Sequence, residues 1–129
     1  MPVKDKKTLK PTPAELPILA ILWEEGPSTV RHVHDIVMER QKVGYTTILK
    51  FLQIMHKKGL VKRDSSAMAH IYEPAFSEQE IQRRLLNDLL QGAFKGSAKN
   101  LVLSALAMEE SSAEELAEIK AMISELEGK

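Results

Sequence analysis

The stretch from Val43 to Ala75, VGYTTILKFLQIMHKKGLVKRDSSAMAHIYEPA, constrains the fold more than any other part of the chain. Ile48, Phe51, Leu52 and Met55 recur at three- and four-residue steps, which predicts a helix with one apolar stripe. Thr46, Lys50, Gln53 and Lys57 share a second stripe that is polar throughout. Gly59 then supplies the left-handed residue that closes a helix. Leu60 to Arg63 and His70 to Pro74 read as two short strands around a small polar tip. A helix of this kind followed by a basic hairpin is the working end of a winged helix-turn-helix. Hydroxyls and amines on the polar stripe suit DNA phosphates, and a glutamine can pair with a base edge.

The rest of the chain frames that unit. Thr12-Pro13-Ala14-Glu15 is a capping box with proline at the first helical position. The helix it starts runs to about Glu25, with Leu16, Leu19, Leu22 and Trp23 inward, and Gly26-Pro27 stops it. Ser28 or Thr29 caps a second helix to about Arg40, with Val30, Val33 and Val37 on its buried stripe. Gln41 to Gly44 forms a short turn before the third helix. Three helices and a hairpin in that order are the winged-helix arrangement. Ser77-Glu78-Gln79-Glu80 and Ser112-Ala113-Glu114-Glu115 are two further capping boxes. They open a fourth helix carrying Ile81, Leu85, Leu86, Leu89 and Leu90, and a sixth carrying Leu116, Ile119, Ile123 and Leu126. A fifth begins near Ser97 and includes Leu101, Val102, Leu103 and Leu106.

The expected fold is therefore mainly α. A Lys-rich flexible arm occupies residues 1–11, a winged helix-turn-helix domain with a small β-hairpin wing 12–76, and a helical dimerisation region 77–129. A three-helix piece of about fifty residues buries little surface alone. A second copy is the economical cover for Leu85, Leu89, Leu101, Leu106, Leu116, Ile119, Ile123 and Leu126.

Net charge is zero over 129 residues, but it is unevenly placed. Residues 1–76 hold 12 Lys/Arg against 8 Asp/Glu, a net of +4, and residues 77–129 hold 6 against 10, a net of −4. A basic half followed by an acidic half fits a chain whose first part alone meets a polyanion. Cysteine is absent, which excludes disulfides and thiolate metal sites and suits a reducing cytoplasm. No apolar run approaches bilayer length and the N-terminus lacks an apolar signal core, so a cytoplasmic location without membrane insertion is expected.

Little in the chain suggests catalysis. No phosphate-binding loop, nucleophile–base pair or zinc-protease motif is present. His32 and His34 stand two apart on a helix, on opposed faces, and cannot chelate together. Glu109-Glu110 and Glu114-Glu115 read as a solvated face and a helix N-terminal charge. No catalytic residue, metal or cofactor is expected. Arg31, near the start of the second helix, and Lys62 and Arg63 on the hairpin suit phosphates. Tyr45, Thr46 and Thr47 open the recognition helix, whose N-terminal residues reach deepest into a groove. Lys50, Gln53 and Lys57 continue its groove-facing stripe, while Leu49 and Ile54 flank it as candidates for thymine methyl contact or for packing.

Four blocks, TPAELPILAILWEEGPSTVRHVHDIV, GYTTILKFLQIMHKKGLVKR, HIYEPAFSEQE and GSAKNLVLSAL, together resemble the penicillinase-repressor family. That family includes the methicillin-resistance and copper-responsive repressors, and the similarity runs from Thr12 to Leu126. The resemblance implies a repressor of transcription that binds double-stranded, palindromic operator DNA as a homodimer, in an antibiotic-resistance or stress regulon. It also implies a sensor protease as a partner in the β-lactam branch, where cleavage typically falls at an Asn-Phe bond after Leu-Val-Leu. In this chain Ser104-Ala105 stands there, with Leu101, Val102, Leu103 and Leu106 reading as buried neighbours. The copper branch uses a C-terminal cysteine cluster, which this chain lacks. Many relatives carry a glycine-arginine pair at the wing tip, whereas this tip reads Asp64-Ser65-Ser66-Ala67-Met68-Ala69. Two other readings fit the residues: a regulator with a small-molecule effector held between the domains, and a winged helix used only for protein contacts.

Overall fold

The computed structural model describes residues 10–108 and 112–128. Most of the expected arm and the Glu109-Glu110 pair lie outside the described residues. Helix α1 spans Leu16–Glu25, strand β1 Ser28–Thr29, α2 Val30–Met38 and α3 Tyr45–Lys58. Strands β2 (Val61–Asp64) and β3 (Ile71–Pro74) follow, then α4 (Glu78–Gly92), α5 (Ala98–Met108) and α6 (Ala113–Glu127). This is a winged helix-turn-helix followed by a helical region, as expected. Two compact units result, one ending at Leu86 and the other beginning at Asn87, so the division falls within α4.

The core of the first unit grows from the apolar stripes. Ile18, Leu19 and Leu22 of α1 meet Val30 and Val33 of α2 and Ile48, Leu52 and Met55 of α3, all buried. Leu60, Val61 and Tyr72 close this cluster from the sheet side. The expected capping box forms before α1: Thr12 N–H donates to Glu15 Oε1 at 2.9 Å, and Glu15 N–H to Thr12 Oγ1 at 3.3 Å. Gly59, at φ 85°, ends α3, and the next N–H, of Leu60, returns to the Met55 carbonyl at 2.9 Å. The chain thus turns directly from the recognition helix into β2. A side chain at that φ would be strained.

The sheet holds a strand that the sequence pattern did not announce. Ser28–Thr29 pairs antiparallel with β3, Ser28 opposite Tyr72 and Thr29 opposite Ile71, so the order is β1-β3-β2. Thr29 also caps α2, its hydroxyl accepting from His32 N–H at 3.1 Å. One residue therefore ends a strand and starts a helix, fixing the base of the wing to the second helix.

The first unit also includes the start of α4. Ile81 of α4 is buried in the core and Leu85, one turn on, packs against it. Leu85, one of the residues proposed for dimerisation, is half-buried against this core within the single chain, its four-residue offset from Ile81 placing it on the same helix face. The link is reinforced where Trp23 Nε1 donates to the Phe76 carbonyl at 2.9 Å and the Arg84 guanidinium lies 4.4 Å from the Phe76 ring centre.

In the second unit, Ser97 caps α5 and Ser112 caps α6, accepting from Asn100 N–H at 3.2 Å and Glu115 N–H at 3.0 Å. Neither helix has a buried residue among those described.

Candidate nucleic-acid interface

Helix α3 has one buried and one open side. Ile48, Leu52 and Met55 are buried, whereas Thr46, Lys50, Gln53 and Lys57 are exposed. At 100° per residue these four fall within an arc of about 60°. Ile54 is 51% exposed at the edge of that arc, while Leu49 is half-buried against the core. The pattern thus separates two flanking residues that spacing alone left open. The first turn of α3 has no acidic residue and the last holds His56, Lys57 and Lys58.

The three residues opening α3 do not share a face. Thr46 belongs to the stripe. Tyr45, 41% exposed, turns toward the wing and α2, where the Arg31 guanidinium lies 5.2 Å from its ring centre. His34 meets the same ring edge-on at 6.0 Å. Thr47 is exposed on the other flank and borders a shallow groove with Ala14, Pro17 and Gln41.

The turn between α2 and α3 is held by a side chain. His34 Nε2 lies 3.0 Å from the Val43 carbonyl, which accepts its proton, and Nδ1 lies 3.2 Å from Asp35 Oδ1. His32 turns away to Glu25 at 2.9 Å, so the two histidines part as their spacing demands.

On the wing, Lys62 and Arg63 are both exposed, Lys62 opposite Glu73 and Arg63 opposite Tyr72. Adjacent strand residues point to opposite faces, so the two cations grouped in the sequence reading are separated here. At the tip, Asp64 Oδ1 accepts from Ser66 N–H at 2.9 Å. Hydrogen bonds from the Ser66 side chain and then its backbone hold the Asp64 carboxyl below the ordinary carboxylate range.

One contact escaped the sequence reading. Lys58 Nζ reaches Glu15 Oε1 at 2.6 Å, and Glu15 is buried. The capping carboxylate of α1 therefore also anchors the end of the recognition helix. The only signal was a capping-box glutamate beside an apolar stripe, which does not reveal a partner 43 residues away.

In the second unit, Leu89, Leu116, Ile123 and Leu126 are exposed and Leu101, Leu106 and Ile119 half-buried within the single chain. Ser104 and Ala105 are both exposed. Their neighbours Val102 and Leu103 are exposed as well, against the burial expected for them, because α5 has too few apolar neighbours in one chain to cover them.

A recognition helix with an open polar stripe, flanked by a cationic helix start and a hairpin, defines the class of winged helix-turn-helix proteins. The sequence profile of the penicillinase repressor family matches residues 11–125. The chain belongs to that family. It is 31% identical over 114 residues to the transcriptional regulator BlaI of Mycobacterium tuberculosis, covering 88% of this chain and 82% of that protein. Over 119 residues it is 28% identical to the penicillinase repressor of Staphylococcus aureus, covering 90% and 92% of the two chains. It is 22% identical over 116 residues to the methicillin resistance regulatory protein MecI of Mammaliicoccus sciuri, covering 90% and 94%. These relatives are regulators, not enzymes. No helix among the described residues is long and apolar enough to cross a membrane.

Proposed function

We propose that this chain is a sequence-specific transcriptional repressor that binds a palindromic operator as a cytoplasmic homodimer. The observation that carries the reading is the exposed Thr46, Lys50, Gln53 and Lys57 stripe, backed by buried Ile48, Leu52 and Met55. A stripe of that width fits a major groove about 12 Å wide, with Lys50 and Gln53 facing base edges or phosphates. Arg31 at the start of α2 and, on opposite faces of the wing strand, Lys62 and Arg63 are the cations offered for backbone contacts that position the helix. Repression follows from occupying promoter DNA, in an antibiotic-resistance or stress regulon.

Dimerisation is supported by the exposed aliphatic side chains of the second unit. Two copies place two recognition helices in successive major grooves, roughly 34 Å apart. A sensor protease is a further proposed partner. A cut at Ser104-Ala105 separates α6 from the rest and removes dimer contacts. The departure from Asn-Phe predicts that this bond is spared when producing cells meet a β-lactam. Mass spectrometry of the protein checks this, and a fragment ending at Ser104 shows the opposite.

Gel shifts with selected genomic fragments at graded salt test the main reading. Specific binding with affinity falling steeply as salt rises is expected. Gln53→Ala should relax preference at one operator position by about 1–3 kcal/mol, whereas Lys62→Ala should weaken all sequences alike. Equal, weak binding to every fragment overturns the proposal.

A further inference from the structure

Between the recognition helix and the wing lies a cleft of about 340 Å³. Thr29 and Arg31 at the start of α2 form one part of its wall and Tyr45 and Leu49 of α3 another. The tip residues Met68, Ala69 and His70 form its far rim. Met68 is fully exposed. From Ser65 to Ala69 the tip carries no charged side chain, and the Asp64 carboxylate is engaged by Ser66. The tip thus has no cation with which to grip phosphate, yet it stands beside the helix face read above as the DNA surface.

Its dimensions and chemistry suggest how it is used. With α3 in the major groove, the next feature along the duplex is a sugar–phosphate strand, and beyond it the minor groove. A protein that touches both grooves needs a recess for the strand between them. The cleft supplies that recess, with Thr29 and the cationic Arg31 among the residues of its wall. What stands past the recess is one unbranched, flexible thioether, slim enough for a groove about 6 Å wide. Apolar side chains, methionine among them, are used in minor grooves as wedges at base steps.

We propose that Met68 enters the minor groove flanking each half-site and selects there by steric fit, with the intervening phosphate strand seated in the Arg31 cleft. The inference rests on the operator-binding reading above and names a specificity-determining residue for it. An apolar probe makes no hydrogen bond, so its preference comes from what obstructs it. In the minor groove that obstruction is the N2 amine of guanine, which A·T pairs lack.

The test uses the full chain and an operator fragment selected by binding. Each base pair flanking a half-site is changed in turn among A·T, G·C and inosine·C. Inosine lacks the N2 amine but keeps the major-groove edge of guanine. At one flanking position G·C should weaken binding on the order of tenfold, and inosine·C should restore it. Met68→Ala, at an exposed tip that leaves the core intact, should still shift the operator but with no G·C penalty. Three results overturn the proposal: G·C costs nothing at any flanking position; inosine·C stays as weak as G·C; or Met68→Ala keeps the wild-type penalty. Absence of any specific shift by the wild-type chain is a different result, since it removes the operator-binding reading itself.

Discussion

The two units of this chain are built from similar residues and reach opposite outcomes. Up to Leu86, the aliphatic stripes of four helices and one sheet converge on a core that includes Leu22, Val33, Leu52, Met55 and Tyr72, all with 0% exposure. From Asn87 onward, α5 and α6 carry comparable stripes with nothing buried among the described residues, and Leu126 is 71% exposed. The difference lies in topology more than in hydrophobicity. In the first unit, turns and a sheet bring α1 to α3 together at an angle that encloses volume. Helices of 11 and 15 residues have too little surface to enclose a core of their own. One unit is finished by its own chain, and the other presents aliphatic surface that a second copy can cover.

The largest effect that can break this comparison is removal of the second unit. A chain ending at Gly92 keeps Trp23–Phe76, Ile81 and Leu85, and should remain folded but monomeric. Its operator affinity should fall about a hundredfold or more, because two half-sites are no longer held by one particle. Sedimentation and gel shifts of both chains check this, and a full chain that is monomeric at micromolar concentration refutes the division of labour. A cut after Pro74 is a different experiment. It removes the Phe76 carbonyl and Ile81 from the first core, so it should destabilise the domain itself.

Point substitutions sharpen the contrast. Leu52→Ala, at a fully buried site, should lower stability by about 2–5 kcal/mol in urea melts whatever the protein concentration. Ile123→Ala, at a site 47% exposed in the single chain, should leave the first unit's unfolding unchanged and raise the dimer dissociation constant. If Ile123→Ala behaves like Leu52→Ala at every concentration, the second unit folds onto its own chain and the dimer reading fails.

The same contrast separates the features that local sequence marks from those that only tertiary contact creates. Helices α1 to α6 were legible because periodic stripes and capping boxes mark them locally. The open stripe of α3 was legible for the same reason. Strand β1 was not, since Ser28 and Thr29 look like helix caps and form a strand only because β3 arrives from far along the chain, Ser28 pairing with Tyr72 and Thr29 with Ile71. The Lys58–Glu15 pair was hidden by a comparable sequence distance. Leu85 shows a subtler limit: an aliphatic residue on an amphipathic helix looks identical whether its partner is its own core or another molecule. The parting of Lys62 and Arg63 could have been foreseen from strand alternation alone.

The smallest expected effect lies at the start of α4, the helix within which the first unit ends. Helix α4 is opened by Ser77 and Glu80: Ser77 N–H donates to Glu80 Oε1 at 3.0 Å and Glu80 N–H to Ser77 Oγ at 3.1 Å. The Ser77 backbone N–H, and then its hydroxyl, hold the Glu80 carboxyl below its ordinary value, with partial desolvation opposing and the Arg84 charge assisting. A carboxyl lowered on folding contributes stability that is present above its unfolded value, about 4.3, and lost as pH falls through the folded one. Glu80→Ala should therefore cost a little stability near neutral pH, and the gap from wild type should close as pH drops below about 4. Urea melts of both proteins across that range check it. The cap starts the helix that carries Ile81 and Leu85 into the first core, so the loss should appear in the unfolding of the first unit. A gap that is independent of pH would mean that the Glu80 charge adds nothing to the cap.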